Sequence, residues 1–252
     1  MNQQAIIRSN EQRRRSIHVM FDKRGVCLTE LMVSLTAGAI VLAAALNALN
    51  VAQAHVGKQQ NDMRHQQDLR LGLEVFEQEV RLASADSIVS AAPDELRFHA
   101  NISGHRTVIT GAVVPGQSVI AVQDGSGWSE GKTVIICGRN ACEAHQLSRS
   151  GQQYQLTLTE PVALSFPAGA SVEVSNRVVY YTKRDEDGTM KLMRMVDGGA
   201  NSLIGDLEDL HFSYWDEHGH ATQQPSLVKR VVLEIASNRQ AHRMMREVTF
   251  RS

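Results

Sequence analysis

The chain has 252 residues, 42% hydrophobic and 21% charged, which excludes wholesale disorder and fits one large folded domain or two small ones. Its 26 basic and 27 acidic residues give a net charge of −1, which argues against a nucleic-acid binder held by bulk charge. An aromatic content of 5% argues equally against a base-stacking platform.

Charge is unevenly distributed. Residues 1–25 carry six basic groups (Arg8, Arg13, Arg14, Arg15, Lys23, Arg24) and two acids (Glu11, Asp22), a net of +4, and the remainder carries −5. This basic head precedes an apolar run, residues 31–49 (LMVSLTAGAIVLAAALNAL), with no formal charge. At 1.5 Å per residue the run spans about 28 Å, one hydrocarbon core. Lys and Arg resist translocation, so the N-terminus stays inside and everything after about His55 lies outside. A secretory signal peptide cut after Ala52-Gln53-Ala54 and a plain uncleaved anchor are two uses of such a segment. Neither explains Glu30, whose carboxylate at the edge of an apolar helix costs free energy and calls for a partner cation.

The local sequence is Lys23-Arg24-Gly25-Val26-Cys27-Leu28-Thr29-Glu30. Basic residues before a Gly, Glu at the fifth position after it and an apolar helix following at once together resemble the type IV prepilin family. The resemblance implies that a membrane peptidase cuts after Gly25 and methylates the new N-terminus, Val26. Glu30 then meets the N-terminal amine of a neighbouring subunit as it enters a filament, a pairing that stabilises a carboxylate among apolar helices. Two positions depart from the family: Val26 is smaller than the usual Phe or Met, and Asn47 stands where many members carry Pro. The helix is therefore expected to be less kinked than in members with that Pro.

Farther on, Leu69, Gly72, Leu73, Phe76, Val80 and Ala83 recur at steps of three and four, one face of an amphipathic helix. Arg70, Glu74, Glu77 and Arg81 occupy the other side, and the stripe must bury itself against a sheet. After Pro93 the period changes. Short β-like runs at 96–98, 107–114, 118–122, 133–136, 154–159 and 171–174 predict mostly antiparallel pairing, because no helical segment separates them. A second group comprises 178–182 and 191–196, with Asp185-Glu186-Asp187-Gly188 as the turn between them. The alternating Leu210, Phe212, Tyr214 and Val231, Leu233, Ile235 belong to this group, as does a last strand at 247–251.

The second group, with residues 69–83, resembles PilW-like minor pilins and the related J-type pseudopilins of type II secretion. The expected fold is α+β and type IV pilin-like, a long N-terminal helix on an antiparallel sheet with an extra β-rich region. The divisions are a cleaved leader 1–25, a transmembrane half-helix 26–54, an amphipathic half 55–92, a β-rich middle 93–176 and a C-terminal sheet 177–252. The resemblance implies a minor pilin in the bacterial inner membrane, its globular part in the periplasm, that primes or caps a filament. A secretion pseudopilin and a pilus-borne adhesin are the alternatives. The partners implied are the prepilin peptidase, other minor and major pilins, the inner-membrane assembly platform and lipid along residues 31–49; no nucleic acid is expected.

Cys137 and Cys142 fall in the compartment placed outside the membrane, where oxidising conditions predict a disulfide, with two free thiols as the alternative. Cys27, at the membrane edge, reads as an unpaired small apolar residue. No catalytic constellation emerges, and no enzyme, cofactor or metal is expected. His211, Asp216, Glu217, His218 and His220 read as an exposed hairpin turn, and Gly125-Ser126-Gly127 lacks the helix that a phosphate cradle needs. For a binding role, Trp128, read as exposed, and the Cys137 to Cys142 loop are the residues of interest.

Overall fold

The computed structural model describes residues 27–139, 141–237 and 243–251. It divides into two compact units, residues 1–59 and 60–252. Helix α1 (Leu28–Leu82) supplies all the described structure of the first unit except Cys27, and every described side chain there is exposed. Its Ala- and Leu-rich sequence without Pro favours helix throughout, and Asn47 lies inside it with no break.

In the second unit the stripe expected from the sequence is the buried face of α1: Leu69, Gly72, Leu73, Phe76, Val80 and then Ala83. On its other side Arg81 donates to Glu77 at 2.7 Å, one turn away. The helix ends at Leu82 and does not run to residue 92 as expected. Arg251 takes over the backbone bonding there: its amide donates to the Ala83 carbonyl at 3.1 Å, and the Ala85 amide donates to its carbonyl at 2.9 Å. A short 3-10 turn (Ala85–Ser87) then leads into strand β1 (Ile88–Ala92).

β2 (Glu95–Ala100) follows β1 through a tight turn at Pro93-Asp94. After a long excursion the chain returns as β9 (Asn176–Arg184), β10 (Met190–Val196), β11 (Gly199–Trp215), β12 (Arg230–Ser237) and β13 (Arg243–Thr249). These seven strands form one antiparallel sheet in the order β1-β2-β9-β10-β11-β12-β13. Alternation places Leu96, Phe98, Tyr180, Leu192, Phe212 and Leu233 in one core with the α1 stripe. Phe76 sits at its centre, edge-on to Tyr180 with ring centroids 5.0 Å apart and 6.1 Å from Phe212.

Gly72 has a packing role that composition alone hides. A methyl group there would overlap the Ile204 side chain of β11, which is buried and cannot swing away, and would lie 3.3 Å from the Leu203 carbonyl oxygen. Gly72→Ala gains about 1 kcal/mol of helix propensity but overpacks this contact, which typically costs about 1–3 kcal/mol. The expected net result in denaturant unfolding is destabilisation, relieved in part by Ile204→Val. A more stable Gly72→Ala protein would contradict the contact.

The excursion is itself a closed structure. Its strands are β3 (Arg106–Val108), β4 (Val119–Ala121), β5 (Thr133–Cys137), β6 (Cys142–Gln146), β7 (Gln155–Thr157) and β8 (Ser171–Val174). They pair as β3-β8-β5-β6 and as β4-β7. Two antiparallel bridges, Leu147 to Leu158 and Ile109 to Val122, join the sets at both ends. The circuit β3-β8-β5-β6-β7-β4-β3 is a six-stranded antiparallel barrel, which leaves no free sheet edge. Ile120, Val134, Ile136, Leu156, Val172 and Phe166 fill it. The β-rich middle expected over 93–176 is narrower in the structure, because β2 pairs with β9 and so belongs to the seven-stranded sheet.

Candidate assembly interface

Glu30 lies in the first turn of α1, where the Cys27 carbonyl accepts the Glu30 and Leu31 amides at 2.9 and 3.2 Å. A carboxylate at this end of a helix is favoured by the unpaired amides of the first turn. Among the described residues its side chain has no cation partner. The helix beyond is long and apolar enough to cross a bilayer, and none of its apolar window is buried. Leu31, Leu35, Ile40, Leu42, Leu46 and Leu49 are each more than half exposed, a surface that water does not tolerate and that a lipid or protein neighbour must cover. Two polar residues in the stretch satisfy themselves: Ser34 Oγ donates to the Glu30 carbonyl at 2.9 Å and Thr36 Oγ1 to that of Val33 at 2.9 Å. Gly25 and Val26, the expected cleavage and methylation positions, lie outside the described residues.

The second unit binds its part of α1 with an ionic cluster that sequence reasoning missed. Glu79 is buried on the sheet-facing side of the helix, accepts the Tyr180 hydroxyl at 2.5 Å and takes the Arg194 Nε at 2.8 and 3.0 Å, with Nη2 as a further donor. Burial, reinforced by the adjacent Glu79 carboxylate, pushes the Tyr180 phenol well above the usual tyrosine range. Hydrogen bonding to Glu79 raises the Arg194 pKa in turn. The partners lie 101 and 115 residues from Glu79, and a lone Glu in an amphipathic segment gives no sign of them.

A second polar node ties the barrel to the seven-stranded sheet. Asp197 and Gly198, both with positive φ (50° and 93°), form the two-residue hairpin between β10 and β11. The Asp197 carboxylate accepts Lys132 Nζ at 2.6 Å, Asn176 Nδ2 at 2.8 Å and the Arg177 amide at 2.8 Å. Burial works to raise its pKa, but the hydrogen bonds from Lys132, Asn176 and Arg177 outweigh it and hold the group below the usual aspartate value. A depressed carboxylate pKa stabilises the fold above the unfolded value, near 4, and the contribution vanishes as pH falls through the folded value. Asp197→Asn is therefore expected to lower the melting temperature at pH 7, with the difference from the unsubstituted protein shrinking below about pH 4. A difference that persists unchanged at pH 2–3 would contradict the ionic role.

Cys137 and Cys142 form a disulfide across the β5–β6 hairpin, where they face each other in register. Cys27 is a free, exposed thiol. Trp128 is not at the surface: it is 4% exposed, in the barrel core, edge-on to His105 with ring centroids 5.9 Å apart. Large apolar surface is worth more inside a small barrel than on a loop, so this residue is unavailable as a contact. Asp185 to Gly188 make the β9–β10 turn, closed by the Asp185 amide on the Thr189 carbonyl at 2.8 Å. Asp216 caps its own turn by accepting the His218 and His220 amides at 2.9 and 2.8 Å, whereas His211 lies apart on β11 beside Glu234. Among the described residues no three His, Cys, Asp or Glu side chains converge as a metal set. Gly125-Ser126-Gly127 is a loop in which the Ser126 amide donates to Asp124 at 2.9 Å.

Comparison with protein-family models, with curated proteins and with solved structures finds no match for this chain.

Proposed function

We propose that this chain is a structural subunit of a type IV pilus-like filament, made as a prepilin and held in the inner membrane until assembly. One observation carries the reading: a fully exposed, charge-free helix with a single carboxylate in its first turn continues, in the same element, into a stripe packed on an antiparallel sheet. A signal peptide needs no Glu30, and a plain anchor needs no continuation into the folded unit. On this reading the basic segment keeps the N-terminus cytoplasmic, cleavage after Gly25 creates an amine at Val26, and Glu30 pairs with that amine on a neighbour. The folded unit, with its barrel, sits in the periplasm and primes or caps the filament with other pilins. The cross-hairpin disulfide suits an oxidising compartment.

The same fold would serve a secretion pseudopilus, and a deletion strain separates the two machines. Loss of surface pili with secreted enzymes still in the medium supports the pilus. Loss of secretion with pili intact moves the subunit to the pseudopilus and overturns the preferred assignment.

A further inference from the structure

A cavity of about 550 Å³ lies inside the folded unit, where the outer face of the barrel meets the ends of α1 and β2. Small-molecule sites fall in the range of about 300–1,000 Å³ and favour such junctions between packed substructures. Strand alternation builds one wall. Val172 and Val174 belong to the barrel core, so Ser171 and Glu173 of β8 take the opposite side. Arg106 of β3 and Ile135 of β5 flank Glu173 in register, and all of these residues line the cavity.

The polar groups on the lining fall into two kinds. Ser87 Oγ donates to the Ser84 carbonyl at 2.7 Å, and Asn101 Nδ2 donates to the His105 carbonyl at 2.9 Å. Ser175 differs. The residue is only 7% exposed, yet its hydroxyl bonds to no described residue and is not sealed off from the cavity. A buried hydroxyl in that position takes its partner from whatever fills the space. The His99 ring and the Arg251 guanidinium likewise make no hydrogen bond to a described residue. Burial, then the Arg177 charge, lowers the His99 pKa against the opposing pull of Asp197. The ring is therefore neutral at pH 7, with one donor and one acceptor.

This lining selects among ligands. Arg251 offers a planar fork of donors that fits a carboxylate. Arg106 is already paired with Glu173 at 2.9 Å, so the cavity also holds a carboxylate that accepts hydrogen bonds and repels anions. Phosphate and sulfate bring only acceptors to Glu173. A sugar acid brings one carboxylate, several hydroxyls that both donate and accept, and a C–H face for Leu82 and Ile135.

We propose that this cavity binds a hexuronate residue of an acidic polysaccharide, its carboxylate on Arg251 and its hydroxyls on Ser175, His99 and Glu173. The site lies wholly within residues 60–252, so it does not depend on the membrane or filament reading.

Calorimetric titration of the full chain in detergent with trigalacturonate tests the site, with the methyl ester of that sugar and inorganic phosphate as comparisons. Saturable binding of the acid is expected, with the ester weaker by about tenfold or more. Arg251→Ala should weaken the acid by about tenfold or more and leave the ester unchanged. Ser175→Ala should weaken both by about three- to tenfold. Arg251 is exposed, so its substitution leaves the melting temperature unchanged and separates lost binding from lost folding. Absence of binding by both trigalacturonate and a glucuronate disaccharide, or full binding by the Arg251→Ala, Ser175→Ala double variant, would overturn the proposal. Phosphate binding as tightly as the sugar acid would also overturn it, by reducing the site to one for an adventitious ion only.

Discussion

Glu79→Ala is expected to lower the unfolding free energy of the folded unit by about 3 kcal/mol and its melting temperature by roughly 10 °C. The substitution leaves the guanidinium of Arg194, whose side chain is only 23% exposed, and the buried Tyr180 hydroxyl without their shared acceptor. Breaking a buried pair by removing one partner typically costs about 3–5 kcal/mol; the low end applies here because Arg194 retains a path to water. Tyr180→Phe removes one hydrogen bond and keeps the ion pair, so it should cost about 1 kcal/mol. A double-mutant cycle between positions 79 and 194, measured by denaturant unfolding of the full chain in detergent, isolates the pair. A coupling near zero would show that the cluster does not fasten the helix to the sheet.

Glu30→Ala is expected to leave leader removal intact and to cut incorporation into filaments by at least about ten-fold. An ion pair at about 4 Å in a medium of effective dielectric near 20 is worth about 4 kcal/mol before desolvation. If half survives, the assembly equilibrium shifts roughly 30-fold. Glu30→Gln keeps the shape and removes the charge, so it should fail as well. Quantifying the subunit in sheared filaments against the membrane fraction measures this, and normal incorporation of either variant would contradict the role given to the carboxylate.

Local pattern made the scaffold legible. The charge-free run shows by its length and composition, and the stripe from Leu69 to Ala83 and the alternation of Leu210, Phe212 and Tyr214 or Val231, Leu233 and Ile235 each write their burial into a period that one segment displays alone. The Asp185 to Gly188 turn and the cysteine pair were equally readable. What escaped was either non-local or polar. β6 reads Cys-Glu-Ala-His-Gln, with no buried residue, so no apolar alternation marks it. β1 follows the helix after one short 3-10 turn, and its strand character comes from pairing with β2 and not from its own Ile-Val-Ser-Ala-Ala sequence. The first half of β11 was missed although Asp197-Gly198 is a strong signal for the turn before it.

The barrel closes through two single bridges between residues 11 and 13 apart, a property of topology that propensity does not carry. Trp128 was misplaced because a lone aromatic among Gly and Ser looks like a surface feature, and only barrel closure gives it an interior. Glu79 is the largest omission within the folded unit. A carboxylate on a helix is exposed by default, and its burial depends on Tyr180 and Arg194 arriving from two different strands.

The most direct measurement of the filament-subunit account is the mass of the N-terminal peptide from protein isolated from membranes. The account predicts a chain beginning at Val26 and carrying one added methyl group on its amine. A chain still beginning at Met1, or one beginning at His55, would contradict it.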